Sequence, residues 1–249
     1  MLAPRRLGSR AYAQDRGGAA ASFATVSAWL LSTTESAAER TAIEAFSAEA
    51  HSGPSVLLLF CGSAGRADGL AAQLRAAGAR VLEIDILIGD RLHDLTRSGP
   101  ESMGDHLVQV SYGGEFTAVH AAIPCGSYSV VRGETDVVRS ALHPLGIPGL
   151  SFADATEVWL SNALMYYVMD IALIIVECGG QASIENPAPR GDPSLPKVYW
   201  EAKAHHANLF RTPPVLEYAR ATASVEIITP LCAFGCGAQE FCCILMISS

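Results

Sequence analysis

The sequence predicts an α/β fold: a doubly wound, mostly parallel sheet with helices on both faces. Three observations carry this prediction. Val56–Phe60 is a short, wholly apolar run, followed by a glycine-containing turn, a helical stretch and a second apolar run. Two later strand-like runs, Phe116–Ala122 and Gln181–Glu185, each lead straight into a loop bearing reactive or polar residues. Between them Glu157–Val176 is long and apolar enough to be a buried helix that returns the chain for a parallel strand.

Taken in order, residues 1–51 read as an N-terminal extension rich in Ala and Ser, and residues 52–249 as one domain. Within 17–50 the spacing of Phe23, Val26, Leu30 and Leu31, then of Ile43 and Phe46, is roughly helical, and His51-Ser-Gly-Pro54 marks the boundary. After the first strand, Cys61-Gly-Ser-Ala-Gly-Arg66 makes the turn, Asp68–Ala77 is a helix ended by Gly78, and Arg80–Ile86 is the second strand. A third short element is expected near His93-Asp94-Leu95. Leu164–Val176 tempts a membrane assignment, but Asp170 interrupts it, so no membrane partner is expected. Val225–Thr229 and Cys242–Ile247 are the closing strands, with the Gly235–Gly237 turn between them.

The formal charge of −8 hides an asymmetry. Arg5, Arg6, Arg10 and Arg16 face only Asp15 in the first turn of sequence, so the remainder is more acidic than the whole. Phosphate backbones are met by Lys and Arg, which counts against tight unaided binding of nucleic acid. The Arg-rich start resembles an organelle-targeting segment and lacks a secretory apolar run, leaving nucleus or organelle open within an intracellular setting. The seven cysteines are odd in number and scattered, which points to a reducing compartment rather than a disulfide framework. Cys232-x3-Cys236 has no completing ligand pair, so no metal is expected.

The chemistry sits at strand ends. Gly62 and Gly65 follow the first strand, where glycine lets the backbone approach a ligand and adopt positive φ. Their spacing matches neither the nicotinamide fingerprint nor a P-loop. An acid ending the second strand accepts ribose hydroxyls; Asp85 is the candidate, with Glu83 two residues earlier, and Asp94 is placed beside an adenine. Pro124-Cys125-Gly126-Ser127 follows a buried strand, and a cysteine there is a soft nucleophile at the ligand-binding edge of the sheet. Glu185 and Asn186 end the next strand; burial there holds a carboxyl protonated or lets it share a proton, and Asn186 orders the loop or meets the substrate.

At these residues the chain resembles the DNA cytosine-5 methyltransferase family. Phe60-Cys-Gly-Ser-Ala-Gly-Arg66 is similar to its Phe-x-Gly-x-Gly cofactor segment, with the second glycine displaced by one. Ala122-Ile-Pro-Cys-Gly-Ser-Tyr-Ser129 is similar to its Pro-Cys-x-x-x-Ser loop, and Ile184-Glu-Asn-Pro187 to its Glu-Asn-Val segment. A set of atypical members shares the Gly-Arg-x-x-Gly-Leu turn, the Glu-Asn-Pro variant and a late Cys-x-Phe-Gly, here Cys232-Ala-Phe-Gly235.

The resemblance implies a Rossmann-like fold, S-adenosyl-L-methionine as cofactor and DNA as partner, the target base being flipped out of the duplex. Phe60, Gly62, Gly65, Asp85, Asp94 and Pro124 then hold the cofactor. Cys125 attacks cytosine C6, Glu185 engages N3 with Asn186 beside it, and Ser129 is a loop or phosphate contact. Covalent addition at C6 is what makes the otherwise unreactive C5 able to take a methyl group.

Three features depart from the family. No Gln-x-Arg-x-Arg segment, the family's anchor for the nucleophile loop, follows Glu185; Arg132, Arg190 and Arg211 are the available substitutes. The closing Gln239-Glu-Phe-Cys-Cys-Ile244 lacks the expected Lys and Thr, and little chain remains for a recognition module. RNA, a small molecule, or a catalytically inactive domain that binds cofactor or a partner are the alternatives.

Other residues read as structural. His143-Pro-Leu-Gly146 is a rigid connector, Asn162 either a buried hydrogen-bonding group or a cofactor contact, and His205-His206 a surface pair. Tyr199, Trp200 and Phe210 are read as core rather than as a stacking platform.

Overall fold

The computed structural model describes residues 43–97, 102–129, 137–230 and 241–247. The expected helix over Phe23–Leu31, Arg132, the Gly235–Gly237 turn, Cys232, Cys236 and Gln239 lie outside these residues.

Among the described residues six strands form one sheet: β1 (Ser55–Leu59), β2 (Arg80–Ile84), β3 (Ala118–Ala122), β4 (Gln181–Pro187), β5 (Val225–Pro230) and β6 (Phe241–Ile247), in the spatial order β2-β1-β3-β4-β6-β5. The four strands from β2 to β4 are parallel, while β6 runs antiparallel to both neighbours. The chain leaves β1 toward β2 on one side and later returns on the other side as β3. That reversal is a topological switch point, and in open α/β sheets ligands bind outside the carboxyl ends of the strands at such a place.

Right-handed crossovers fix which face each helix covers. Helix α1 (Leu70–Ala76) joins β1 to β2 and packs Ala71 against Val56, Leu58 and Val81. A short helix α2 (Ile86–Gly89) and a 3-10 turn (Asp90–His93) follow β2. Helices α3 (Met103–Tyr112), α4 (Phe152–Glu177) and α5 (Pro213–Ala221) lie on the opposite face. There Leu57, Leu59, Val119, Ala121 and Ile184 meet Met103, Leu107, Met165, Val168, Ile171, Val215 and Tyr218. The architecture is therefore a mostly parallel, doubly wound α/β sheet, as the apolar runs predict.

Several elements differ from expectation. The third strand-like element near His93 is a 3-10 turn, because Asp94 caps its own loop: its Oδ1 accepts from Thr96 N at 2.9 Å and Thr96 Oγ1 at 2.6 Å. Helix α3 was not expected from the sequence. Its Gly104 weakens the helical pattern, yet is needed for close packing, since a Cβ there would meet the Tyr167 ring of α4 at 3.2 Å. Helix α4 starts earlier than Glu157, at the cap where Ser151 Oγ accepts from Asp154 N. By length and composition α4 alone would pass for a membrane span, yet half of its most apolar stretch is buried inside the fold.

Residues 43–48 are helical and place Ile43 and Phe46 in the main core, with the Phe46 and Phe116 ring centroids 5.6 Å apart. Arg80 reaches back to the carbonyls of Phe46 and Glu49. Packing of the α/β unit thus begins ahead of the boundary at residue 52.

Candidate functional site

Three chain segments emerge at the carboxyl edge of adjacent strands: the glycine turn after β1, the Cys125 loop after β3, and Glu185 near the end of β4. The parallel register pairs Ala122 with Glu185, so the carboxylate stands level with the last residue before the Cys125 loop.

The turn after β1 is conformationally unusual. Gly62 and Gly65 have φ of +79° and +76°, and Phe60, which cannot adopt such a value cheaply, has φ of +60°. A Cβ on either glycine would meet no atom within 4 Å, so backbone conformation rather than crowding requires glycine, and space stands open above the turn. Asp85 holds the turn from β2. Its Oδ2 accepts from Gly62 N at 2.8 Å and its Oδ1 accepts from Leu87 N at 2.8 Å, capping α2. Each carboxylate oxygen keeps a second lone pair, so a ribose would share the group with the backbone rather than receive it free. Glu83, the runner-up acid, is committed to Arg75 of α1 at 2.5 Å. His93 Nδ1 lies 3.1 Å from Asp85 O, and the carboxylate of the next residue, Asp94, is engaged by Thr96. Cys61 is half-buried, and its thiol is pushed up to about 11, chiefly by burial and then by Glu83 and Asp85.

The Cys125 loop has an exposed tip and a buried base. Pro124, Cys125 and Gly126 are exposed, whereas Ser127, Tyr128 and Ser129 are buried. Tyr128 N and Ser129 N both donate to Cys125 O, at 2.9 and 2.8 Å, which closes a tight turn around the cysteine. A Cβ on Gly126 would meet Glu157 Oε1 at 2.8 Å, so that carboxylate lies against the loop. Ser129 is buried, and its amide belongs to the loop's own turn.

Glu185 and Asn186 point to opposite faces of β4, because side chains alternate along a strand. Asn186 faces the main core and its Nδ2 donates to Ile123 O at 2.8 Å, tying β4 to the residue before Pro124. Of its two expected roles, loop ordering is the one its orientation serves. Glu185 faces the other way, toward His120 of β3, with 3.6 Å between His120 Nε2 and Glu185 Oε2. The opposite ring nitrogen, Nδ1, lies 2.8 Å from Ser183 Oγ. The His120 contact holds the Glu185 carboxyl below the usual carboxylate range against the opposing effect of burial, and the Cys242 thiol is a further donor. Burial by itself favours the protonated form expected from the sequence, whereas the His120 and Cys242 contacts favour the carboxylate.

Two of the arginines considered as loop anchors are engaged elsewhere. Arg190 lies over the Phe241 ring, and Arg211 pairs with Asp192 at 2.6 Å and Glu226 at 2.7 Å. Sequence reasoning missed His120 and Arg139 at the site and placed His206 on the surface. Only the register between β3 and β4 could have revealed His120, since it brings His120 opposite Ser183. His206 is half-buried rather than a surface residue; burial chiefly lowers its pKa, while a backbone hydrogen bond to Ser129 works the other way. Arg139 is fully buried beneath the Cys125 loop, and nothing in its local sequence marks it. Asn162 is a hydrogen-bonding hub on α4: its Nδ2 donates to Leu145 O, and its Oδ1 accepts from Arg139 and Tyr128.

The class defined by this arrangement is a doubly wound, mostly parallel α/β domain with an exposed cysteine loop and an acid at its switch-point edge. Comparison with protein-family models, curated proteins and solved structures gives no match for the chain.

Proposed function

We propose that this domain is a Rossmann-like methyltransferase that uses S-adenosyl-L-methionine and acts on C5 of a cytosine, DNA being the first acceptor to test. One observation carries the proposal: the exposed Cys125 lies in the loop just after β3 and Glu185 near the end of the neighbouring β4, at the edge that also presents the left-handed glycine turn. The residues fit the cofactor in part. The open space above Gly62 and Gly65 admits a ligand against the backbone, and Asp85 stands beside the turn with lone pairs to spare.

When bound, the cofactor supplies an electrophilic methyl group. The protein's task is to make C5 nucleophilic. Cys125 adds through sulfur to C6, which places electron density on C5; loss of the C5 proton to solvent and departure of the sulfur restore the aromatic ring. Glu185 meets N3, where charge must be drained during addition. The His120 ring, 3.6 Å away, favours the carboxylate form of Glu185, so Glu185 meets N3 by sharing a proton with the base.

The His120–Glu185 contact favours a second reading, a domain that binds cofactor or a partner without catalysis, because it favours a carboxylate where N3 needs a donor. Methyl transfer from labelled S-adenosyl-L-methionine to DNA, RNA and small-molecule pools separates the two, with Cys125→Ser alongside. Transfer to cytosine that Cys125→Ser abolishes supports the first reading. Cofactor binding with no transfer to any pool leaves the second.

A further inference from the structure

Arg139 is among the largest fully buried side chains of the protein, only 1% exposed, and its donors converge on three separate segments. Its Nε and Nη2 both donate to Ser127 Oγ, at 3.2 and 3.0 Å, within the Cys125 loop. Its Nη1 donates to Pro144 O and to Asn162 Oδ1, each at 2.8 Å, and Nη2 also donates to Val158 O at 3.2 Å. The guanidinium plane lies 3.9 Å from the centroid of the Tyr128 ring. Tyr128 in turn donates its hydroxyl to Ser161 O and Asn162 Oδ1 on α4.

Two physical points raise this above ordinary packing. A buried guanidinium costs several kcal/mol in lost hydration, so a site that keeps one needs all its donors placed. Here Glu157 lies close enough to favour the charged form, against the lowering effect of burial. Second, the two residues it grips, Ser127 and Tyr128, follow Gly126 in the turn that closes onto Cys125, and Tyr128 N donates directly to Cys125 O. Only a planar five-donor fork joins a hydroxyl, an amide and two carbonyls while stacking on a ring; Lys offers a point charge without that geometry.

We propose that Arg139 is the positioning residue of the Cys125 loop, pinning it to α4 and to the His143–Gly146 connector so that the cysteine is held at the carboxyl edge of β3. It acts through Ser127 and Tyr128. As a step in methyl transfer the role rests on the function proposed above; as a loop anchor it stands independently. It supplies from within the segment preceding β4 the anchoring that the sequence leaves unprovided after Glu185.

The test is amide hydrogen exchange read residue by residue in the full chain, with Arg139→Lys, Arg139→Met and, as a milder change, Ser127→Ala. Loss of the anchor is expected to speed exchange at Tyr128 and Ser129 by about tenfold or more, while amides of β1 and β3 keep their protection. Where the wild type transfers methyl groups, kcat should fall about 100-fold in Arg139→Lys with little change in KM for the cofactor. Unchanged exchange at Tyr128 and Ser129 in a folded Arg139→Lys or Ser127→Ala protein overturns the proposal. Faster exchange in a protein whose wild type transfers nothing supports the anchor and removes only the methyltransferase reading.

Discussion

Asp85 shows how one side chain can be committed before any ligand arrives. Its two oxygens hold Gly62 N and Leu87 N, so Asp85→Ala leaves one turn donor and one helix donor without their acceptor. A destabilisation of about 2–3 kcal/mol is expected from urea unfolding, by analogy with lost caps and hydrogen bonds to charged groups. Glu185 makes the complementary case. Its carboxyl sits below the usual carboxylate range because His120 adjoins it, so His120→Asn should raise that pKa, as followed by carboxyl carbon NMR. A depressed carboxyl stabilises the fold above its unfolded pKa and loses that contribution as pH falls through the folded value. The stability difference between wild type and Glu185→Gln should therefore be largest near neutrality and shrink on acidification below the ordinary carboxylate range. Its size will be small, because 36% of the Glu185 side chain is exposed to solvent. A difference that grows toward acid would refute the assignment.

At the scale of elements, the glycine turn and the α4 cap make separate claims. Gly62→Ala introduces no clash but forces a side chain into left-handed backbone, at a cost of about 1–2 kcal/mol. Gly126→Ala asks only that the flexible Glu157 carboxylate move aside. Gly62→Ala should therefore lower the melting temperature more than Gly126→Ala does. Ser151→Ala removes the acceptor for Asp154 N and should cost about 1 kcal/mol. β1 was legible in sequence for a physical reason: every position of Ser55–Leu59 is buried, as a parallel strand covered on both faces requires, whereas β3 and β4 bury alternate positions. Helix α3 was illegible because Gly104 answers to Tyr167, which lies far along the chain, and not to its own helix.

At the scale of the molecule, the folded unit includes residues that the composition shift at 51 would discard. A chain beginning at Ser52 loses the burial of Ile43 and Phe46 and two acceptors of Arg80. It should be less stable than one beginning at Thr41 by roughly 3–6 kcal/mol, from the transfer energy of two large side chains. Equal melting temperatures for the two chains would show that this packing contributes nothing. The sheet also divides its tasks. One face carries α3, α4 and α5, while β5 and β6 leave Val225, Ile227 and Met246 largely exposed on the other.

The sequence by itself determined the chain order of the central strands, the glycine turn after β1, and the placement of Cys125 just beyond one strand and Glu185 near the end of the next. Those features are local: hydrophobic periodicity and glycine conformational freedom act over a few residues and are readable from them. Tertiary structure alone decided the partners. It set Asp85 on the Gly62 amide, His120 beside Glu185, Asn186 on the opposite face from Glu185, and Arg139 beneath the cysteine loop. Each of these depends on strand register or on a crossover that brings together residues from distant stretches of the chain. A side chain's protonation and its positioning work depend on what stands within a few ångströms, which the linear spacing of residues does not encode.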